Sequence, residues 1–239
     1  MIESTSILCR LPANLDKKQA LFLNGIRHAA EFASHAYLRL AGTLTYVALH
    51  DIASSNATHQ YTSAFIDAWT IVDAFDRFRQ LALLFPNPGN TVPTLEISAS
   101  DLALLAREVR NVADHLAQRA DFVTSKNGTA LGILTWYTVL DASTHQGVSC
   151  TILPGGVPTG SHDAVNPAGK DIRVPTDLIH LTAGGYRISL SELVVHMSNK
   201  VKELEEQVSA QLPANLAEDE IAPTDILLKI HMCFAPPQA

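Results

Sequence analysis

A stretch near the middle of the chain, Arg110 to His115, brings together three side chains that could act on one phosphate group. Arg110 supplies a permanent cation, Asn111 an amide and His115 an imidazole, a group that can both accept and donate a proton. Neutral His115 can accept the proton of an RNA 2′-hydroxyl and, once protonated, give one to the leaving 5′-oxygen. Arg110 can stabilise the charge that builds on the phosphate, while Asn111 orients the imidazole or donates to a phosphate oxygen. This chemistry cleaves RNA, requires no metal ion and spares DNA, which lacks the 2′-hydroxyl.

The segment that carries these residues is predicted to be an amphipathic helix. Ser98 or Ser100 is expected to begin it, with Asp101 in the first turn, where the helix dipole favours an anion. It is expected to end within 121–128, where Ser, Asn and Gly mark a turn. Its apolar residues recur at alternating spacings of three and four, which predicts one stripe facing a bundle core: Leu102, Leu105, Val109, Val112 and Leu116.

The polar residues of the motif are expected to lie off that stripe, because an α-helix turns by about 100° per residue. Asn111 and His115 are four residues apart and share a face, and Arg110 lies to one side with a side chain long enough to reach a shared ligand. Arg107 and Asp114 complete a polar flank. An exposed polar triplet is also what a solvated helix surface presents, so this reading stays open beside the catalytic one.

Two longer helices are predicted before this one. The first begins after Asp16, its expected N-cap, and runs to about residue 40, with Gly42-Thr43 as an interruption. A polar connection is expected over 54–58, and a second helix over 60–85. The apolar stripe of that second helix has a spacing of three to four and comprises Phe65, Trp69, Val72, Phe75, Phe78 and either Leu81 or Ala82.

Strand chemistry follows from about residue 130. Residues 131–140 and 147–153 are rich in β-branched and aromatic side chains, and 180–190 is expected to form a strand or hairpin around Gly184-Gly185. These segments predict a small antiparallel sheet. The Gly- and Pro-rich stretch 154–175 between them is too irregular for a compact element and is predicted to be a flexible loop.

A last amphipathic helix is predicted after the sheet. Ser191 is its expected N-cap, Glu192 stands in its first turn, and the helix ends before Pro213. The residues after it hold at most one short helix or strand, at 225–234. The apolar positions of the helix are Leu193, Val194, Met197, Val201, Leu204 and Val208.

Composition limits the classes of function. The chain has 239 residues, 47% of them hydrophobic and 17% charged, which is typical of a soluble globular protein with one sizeable core. No apolar run is long enough for a membrane span and no signal peptide is recognised, so a cytoplasmic protein without membrane association is expected. The net charge of −7 excludes nucleic-acid binding through overall charge, so an RNA site must be a local patch.

No metal or other cofactor is expected. Cys9, Cys150 and Cys233 lie far apart, without the pairing typical of a disulfide framework or a thiolate zinc site, and are expected to be packing residues. His28 and His35 are seven apart and could share a helix face as metal ligands. Because no third ligand accompanies them at metal-site spacing, packing or surface exposure is the favoured interpretation.

The pattern Arg-Asn-x-x-x-His at 110–115, late in a predicted helical bundle, resembles the signature of the HEPN superfamily. Ribonucleases of that superfamily carry an Arg, an adjacent polar residue and a His after a short spacer. The stretch 69–77 is similar, more weakly, to the helix that precedes the motif in some bacterial HEPN-like proteins. The resemblance covers about 14–125. It implies a homodimer in which two motifs face one another across a symmetric cleft, in a superfamily of toxins, phage-defence nucleases and RNA-processing factors, some of them inactive.

The expected fold is therefore α+β and mainly α, with an HEPN-like antiparallel helical bundle, a small antiparallel sheet and a C-terminal helix. The predicted divisions are a bundle over 14–125, a β-rich segment over 126–190 that contains the loop 154–175, a helix over 191–212 that packs on bundle or sheet, and a tail over 213–239.

Two functional hypotheses follow. The first is a metal-independent endoribonuclease, a toxin or phage-defence effector, with Arg110, Asn111 and His115 as catalytic residues. Arg107 and, from the preceding helix, Asp73 and Arg77 are the candidate supporting residues. Asp73, Asp76 and Arg77 could orient the site, but pairing within their own helix is the favoured interpretation. The second is a non-catalytic HEPN-like module that binds a nucleotide or a protein partner such as an antitoxin.

Two further features have simpler interpretations. Arg173 and His180 repeat the looser Arg-to-His spacing, but Val174-Pro175 between them breaks a helix, so this copy lacks the required context. Trp69 and Trp136 are expected to anchor the core.

Overall fold

A computed structural model of the chain describes residues 2–3, 5–50, 54–85, 101–155, 164–172, 174–211, 220–222 and 225–232. These residues form five α-helices, a short 3-10 helix at Ile7–Cys9 and a four-stranded antiparallel sheet. The predicted class, α+β and mainly helical, is confirmed. None of the helices in these ranges has the length and apolarity that a bilayer crossing requires.

The first helix, α1, spans Lys17–Leu49. The Asp16 carboxylate accepts the N–H groups of Lys18 and Gln19 at 3.0 and 3.1 Å, which confirms it as the N-cap. The predicted interruption at Gly42-Thr43 is wrong, because the helix continues through it. A mid-helix glycine costs only about 1 kcal/mol, and the burial of Leu44 beyond it outweighs that cost.

The second helix, α2, spans Ser54–Leu83, so the predicted connection over 54–58 is wrong as well. Extending an existing helix requires no new nucleus, and Ser, Asn and Thr are only mildly unfavourable in it. The predicted stripe is confirmed: Phe65, Val72, Phe75, Phe78 and Ala82 are buried, and Trp69 and Leu81 pack partly buried against them. The indole of Trp69 also donates to the Leu131 carbonyl oxygen at 3.0 Å.

The helix that carries the motif, α3, spans Asp101–Asp114, and a separate short helix, α4, spans Ala120–Ser125. The expected start at Ser98 or Ser100 lies outside the described residues. The expectation of one helix reaching 121–128 is wrong, because a turn over 115–119 divides it. A β-turn packs at this break, where a Cβ on Gly184 would lie 2.8 Å from Val112 and 3.1 Å from Phe122.

The buried stripe of α3 is also rotated from the predicted one. Ala103, Ala106, Val109 and Val112 are buried, whereas Leu102, Leu105 and Leu116 are only partly buried at its margin. Small alanines on the core side let the helix approach its neighbours closely.

Four strands build the sheet: β1 (Ile133–Asp141), β2 (Gln146–Ile152), β3 (Thr176–Ala183) and β4 (Tyr186–Ser189). Their order is β2-β1-β3-β4 and every pair is antiparallel, which confirms the predicted small sheet. The β3–β4 hairpin turns at Gly184-Gly185, with φ of 55° and 83°. Two consecutive positive φ values are what a tight hairpin turn requires, and glycine adopts them without strain.

The predicted loop 154–175 is described in part. Residues 156–163 and 173 lie outside the described residues, and 164–172 contain neither helix nor strand. Val165 is buried and its N–H donates to the Ser149 hydroxyl of β2 at 2.7 Å, so this part of the loop is fixed to the sheet.

The last helix, α5, spans Leu190–Gln211 and packs against α1, α2 and β3. Ser189, not Ser191, provides the cap, since the Glu192 N–H donates to the Ser189 hydroxyl at 3.2 Å. The Ser191 hydroxyl instead contacts Tyr37 of α1 at 2.9 Å and accepts the Ile179 N–H of β3 at 3.0 Å. The helix therefore joins bundle and sheet, and one hydrophobic cluster, which includes Trp136, runs through all three.

The tail returns to the N-terminal region. Ile221 forms a β-bridge with Pro12, and Asp225 forms an ion pair with Arg27 at 3.0 Å. At most one short helix or strand is predicted at 225–234, and the described residues 225–232 contain neither. Residues 233–234 lie outside the described part of the chain, and Cys233 with them.

Candidate functional site

Arg110 lies at the margin of α3 that faces α2, and it contacts carboxylates on both helices. Its Nη1 donates to Asp76 of α2. Its Nε lies 3.3 Å from Asp73 Oδ1 and 3.5 Å from Asp114 Oδ2, the latter one turn further along α3. The predicted exposed flank is therefore corrected for this residue: the side chain is only 35% exposed and joins two helices.

Asp76 is the buried centre of this cluster, with 4% of its surface exposed. Besides Arg110 it accepts Arg79 Nε at 3.1 Å, Arg79 Nη2 at 2.8 Å and Gln80 Nε2 at 2.6 Å. Burial alone would raise the pKa of Asp76, but the hydrogen bonds from Arg79 and Arg110 outweigh it and lower the pKa. The carboxylate is therefore held ionised by two guanidinium groups.

At Asp73 the effect of burial on the pKa outweighs the effect of the neighbouring cation, the reverse of Asp76. Burial raises its pKa, and the nearby Arg110 offsets that only in part. The pKa of Arg110 itself is raised, because the bond to Asp76 outweighs the cost of burying the cation. Arg110 thus remains a cation, with its charge shared among Asp76, Asp73 and Asp114.

Among the described residues, the contacts of the Arg110 guanidinium involve two of its three nitrogen atoms. Asp76 contacts Nη1, while Asp73 and Asp114 approach Nε. Across the described ranges, no hydrogen bond or ion pair is found for Nη2 of Arg110. A guanidinium with one side fixed presents its remaining donors in a defined direction, which suits recognition of a phosphate oxygen.

His115 lies one residue beyond the end of α3, in the turn, and not within the helix as predicted. The ring is exposed, and its Nδ1 lies 3.0 Å from the side-chain oxygen of Gln118. Because an amide oxygen only accepts, Nδ1 carries the proton in this contact and Nε2 is the basic nitrogen of the neutral ring. A free Nε2 is what proton transfer with a ligand requires.

Asn111 links the two other motif residues through the backbone. Its carbonyl oxygen accepts the His115 N–H at 3.2 Å, so α3 makes its last turn between them. Its side chain is half-buried. The motif thus runs from a fixed cation to an exposed imidazole over the final turn of α3.

The candidate supporting residues differ in whether they contact the motif. Asp73 contacts Arg110 directly, and Arg77 is exposed on α2 and acts on Asp73 through its charge. Arg107 is exposed on α3 and forms none of the ion pairs found among the described residues. Arg79 and Gln80 were not predicted to take part. Their spacing of three and four from Asp76 was the available signal, but many helices carry such pairs.

Two cavities found in the described part of the chain lie elsewhere. One, of about 350 Å³, lies between residues 2–7 and α5, and the other, of about 430 Å³, lies between β3 and the start of α5. Neither is lined by a motif residue.

His28 on the first helix is a candidate metal ligand from the sequence. His28 contacts Arg27 at 2.9 Å, Glu31 at 3.2 Å and Asp225 at 3.5 Å, so its ring nitrogens face a salt-bridge cluster. In the described ranges no group of three or more His, Cys, Asp or Glu side chains is placed to hold a metal ion.

Comparison with models of protein families, with curated proteins and with solved structures found no match to this chain. A function must therefore be inferred from the chemistry of the residues and from their geometry.

Proposed function

We propose that the protein is a metal-independent endoribonuclease of the HEPN type that acts as a homodimer, in a toxin or defence role. The observation that carries the proposal is the fixed Arg110 guanidinium on α3, followed one turn later by the exposed His115 imidazole. A fixed cation and a free base in neighbouring turns are the two groups that RNA cleavage by its own 2′-hydroxyl requires.

In the proposed reaction, Nε2 of His115 takes the proton of the 2′-hydroxyl. The 2′-oxygen forms a bond to phosphorus, and the bond from phosphorus to the 5′-oxygen breaks. The leaving oxygen takes its proton from an imidazolium, either His115 itself or its copy in the second subunit. Arg110 stabilises the charge that builds on the phosphate oxygens, and the product carries a 2′,3′-cyclic phosphate.

On this proposal, a phosphate displaces the exposed carboxylates next to Arg110. Asp73 and Asp114 are 55% and 54% exposed, and exposed ion pairs contribute at most about 1 kcal/mol. Exchanging them for a phosphate is therefore inexpensive. Asp76 is buried and remains bound, so it acts as the positioning residue that keeps the guanidinium directed outward.

The same cluster supports a second candidate function, a non-catalytic module that binds a nucleotide or a protein partner. Three carboxylates surround Arg110, so much of its charge is already balanced. A guanidinium balanced in this way fits a structural link between α2 and α3. On this alternative, the histidine belongs to an interaction surface, and RNA is not cleaved.

One assay distinguishes the two candidate functions. Purified protein is incubated with RNA in EDTA, beside His115→Ala and the matched control His59→Ala. His59 is an exposed histidine on α2, about 20 Å along the helix axis from Asp73. The nuclease proposal expects cyclic-phosphate products from wild type and the control, and a loss of at least about 100-fold in His115→Ala. Equal products from wild type and His115→Ala would contradict it, as would RNA that stays intact in all samples.

A further inference from the structure

Four side chains beyond the end of α3, here called the α4 stripe, lie on one side of the path that leads from the motif into α4. They are His115, Arg119, Phe122 and Lys126, at spacings of four, three and four residues. The Arg119 N–H donates to the His115 carbonyl oxygen and the Val123 N–H to that of Arg119, both at 2.9 Å, so helical turns continue through this stretch. At about 100° per residue, the four side chains lie within about 60° of one another around the axis.

The β3–β4 turn fixes two members of the stripe. A Cβ on Gly184 would lie 3.1 Å from Phe122 and 2.8 Å from Val112, so the ring lies against the turn, beside the last turn of the motif helix. A Cβ on Gly185 would lie 3.4 Å from Cγ of Lys126, so the stem of this lysine also lies close to the turn. Phe122 is nevertheless 39% exposed. The fold therefore positions an aromatic ring and leaves part of it accessible.

The charges of the stripe suit a polyanion. Arg119 and Lys126 are basic, and among the residues that the structure describes neither forms an ion pair. The acidic residues of this stretch, Asp114 and Asp121, lie about 100° to 120° from His115 around the axis, together on one flank. The stripe is thus a basic and aromatic band on a chain of net charge −7, which is the local patch that a nucleic-acid site needs.

We propose that the α4 stripe is a subsite for single-stranded RNA beside the cleaved bond, with one unstacked base on Phe122 and neighbouring phosphates on Arg119 and Lys126. This inference rests on the proposed nuclease function, because the stripe begins at His115, the proposed base. Phe122 lies about 10 Å along the axis from His115, the length of about three stacked nucleotides. The base on Phe122 therefore belongs to a flanking nucleotide and not to the one that is cleaved.

The chemistry of the stripe favours a single strand over a duplex. In a duplex both faces of each base are stacked on its neighbours, whereas a single strand can turn a base out onto an aromatic side chain. Contacts of Arg119 and Lys126 with phosphates carry no sequence information, and a phenylalanine ring stacks on any base. The substrate class is therefore single-stranded RNA without a strong sequence preference.

The first test measures binding of a fluorescent 2′-O-methyl RNA of about ten nucleotides by anisotropy. The methyl group removes the nucleophile, so the wild type cannot cleave this probe. Phe122→Leu keeps an apolar contact with the turn but removes the ring, and is expected to bind at least about fivefold more weakly. Phe122→Tyr keeps the ring and should bind within about twofold of wild type. The matched control is Phe32→Leu, at a 48% exposed position of α1, which should bind as wild type does.

Three results of this test overturn the proposal. The first is equal binding by wild type and Phe122→Leu, which is the result expected if the stripe contacts a protein instead. The second is an equal loss of binding in Phe122→Tyr and Phe122→Leu, since the ring would then not be what binds. The third is an absence of binding by wild type, or tighter binding of a duplex that contains the same strand.

The second test counts the phosphate contacts. Each contact of a single strand with a lysine or arginine contributes about 0.7 to the slope of log Kd against log salt concentration. Arg119→Gln and Lys126→Gln should each lower that slope by about 0.7. Lys202→Gln, at an exposed lysine of α5, should leave it unchanged. Equal slopes in wild type and all three variants overturn the assignment of the two cations.

Cleavage is measured separately, with unmodified RNA in EDTA, so that the subsite and the nuclease can fail independently. Protein that binds the probe with this dependence on Phe122 but forms no cyclic phosphate contradicts the nuclease proposal and supports the RNA site. Protein that forms cyclic phosphate while Phe122→Leu binds the probe normally contradicts the subsite alone.

Discussion

Arg110 of α3 donates through Nη1 to Asp76 of α2, a carboxylate with only 4% of its surface exposed. This contact fixes the helix that carries the candidate catalytic residues to the helix beside it. Because Arg79 and Gln80 bind the same carboxylate, the position of Arg110 depends on a buried network and not on one surface pair.

The first prediction concerns this network. Asp76→Asn removes the negative charge but keeps the shape, and leaves Arg79 and Arg110 without their buried counter-ion. Breaking a fully buried ion pair costs 3–5 kcal/mol. Because both arginines are partly exposed, at 19% and 35%, we expect a smaller loss of about 2 kcal/mol, measured by urea denaturation.

The control for this prediction is Asp67→Asn. Asp67 pairs with Arg39 between α1 and α2, but Arg39 is 61% exposed and can return to water, so the loss should stay below about 1 kcal/mol. Equal losses at the two positions would mean that the Asp76 network adds no stability beyond that of an ordinary carboxylate.

The second prediction concerns acid stability. The pKa of Asp76 is lowered, so the folded state binds its proton less readily than the unfolded chain. Its contribution to stability is complete above the unfolded pKa of about 3.9 and is lost as pH falls through the folded pKa. Wild type should therefore lose stability below about pH 4, and Asp76→Asn should lose less over the same range.

Asp73 is expected to change acid stability in the opposite direction from Asp76. Its pKa is raised, so ionisation of Asp73 costs more in the folded state, and its contribution favours the folded state as pH falls. Asp73→Asn should thus steepen the acid loss that Asp76→Asn flattens. Denaturation curves at several pH values below 5 test both, and parallel curves for the two variants would contradict the assigned directions.

The elements could largely be predicted from the sequence, because each carries a local signal. The stripe from Phe65 to Phe78, the Asp16 cap and the Gly184-Gly185 turn depend on residues close in sequence, and all are confirmed. The break after Asp114 could not be predicted, because its context is the β3–β4 turn about seventy residues later. Local periodicity contains no information on such a contact.

The candidate site shows the same limit. The types and spacing of Arg110, Asn111 and His115 indicate a chemistry, but not the state of each group. Arg110 contacts Asp76 because of the orientation of α3 about its own axis relative to α2, and the sequence does not give that orientation. In this orientation Ala103 and Ala106 lie on the buried side, and a prediction based on the spacing of large apolar residues does not include alanines.

The third prediction concerns His180 of β3. Burial and, after it, the nearby Arg187 charge lower the pKa of His180 to about 4, although its Nδ1 donates to the Leu178 carbonyl oxygen at 2.7 Å. The unfolded chain protonates near pH 6.5, so stability is lost as pH falls from about 6.5 to 4, by up to about 3 kcal/mol. His180→Gln should remove this part of the pH dependence.

An NMR titration of the imidazole resonances checks the same prediction directly. The His180 signals should remain those of a neutral ring at pH 5.5 and move only near pH 4. Movement near pH 6.5 would show that the ring is solvated in the folded protein.

The fourth prediction concerns the turn that packs at the end of α3. Gly184 has a φ of 55°, and a Cβ there would lie 2.8 Å from Val112 and 3.1 Å from Phe122. Gly184→Ala therefore combines backbone strain with a clash against the last turn of the motif helix, and we expect a loss of about 2 to 3 kcal/mol in thermal or urea denaturation.

Gly155→Ala separates these two effects. Gly155 has a φ of 64°, but a Cβ there meets nothing within 4 Å, so only the backbone strain of about 1 kcal/mol remains. The difference between the two variants measures how tightly the β3–β4 turn is packed against α3. If both lose the same stability, the turn does not press on Val112, and the break after Asp114 must have another cause.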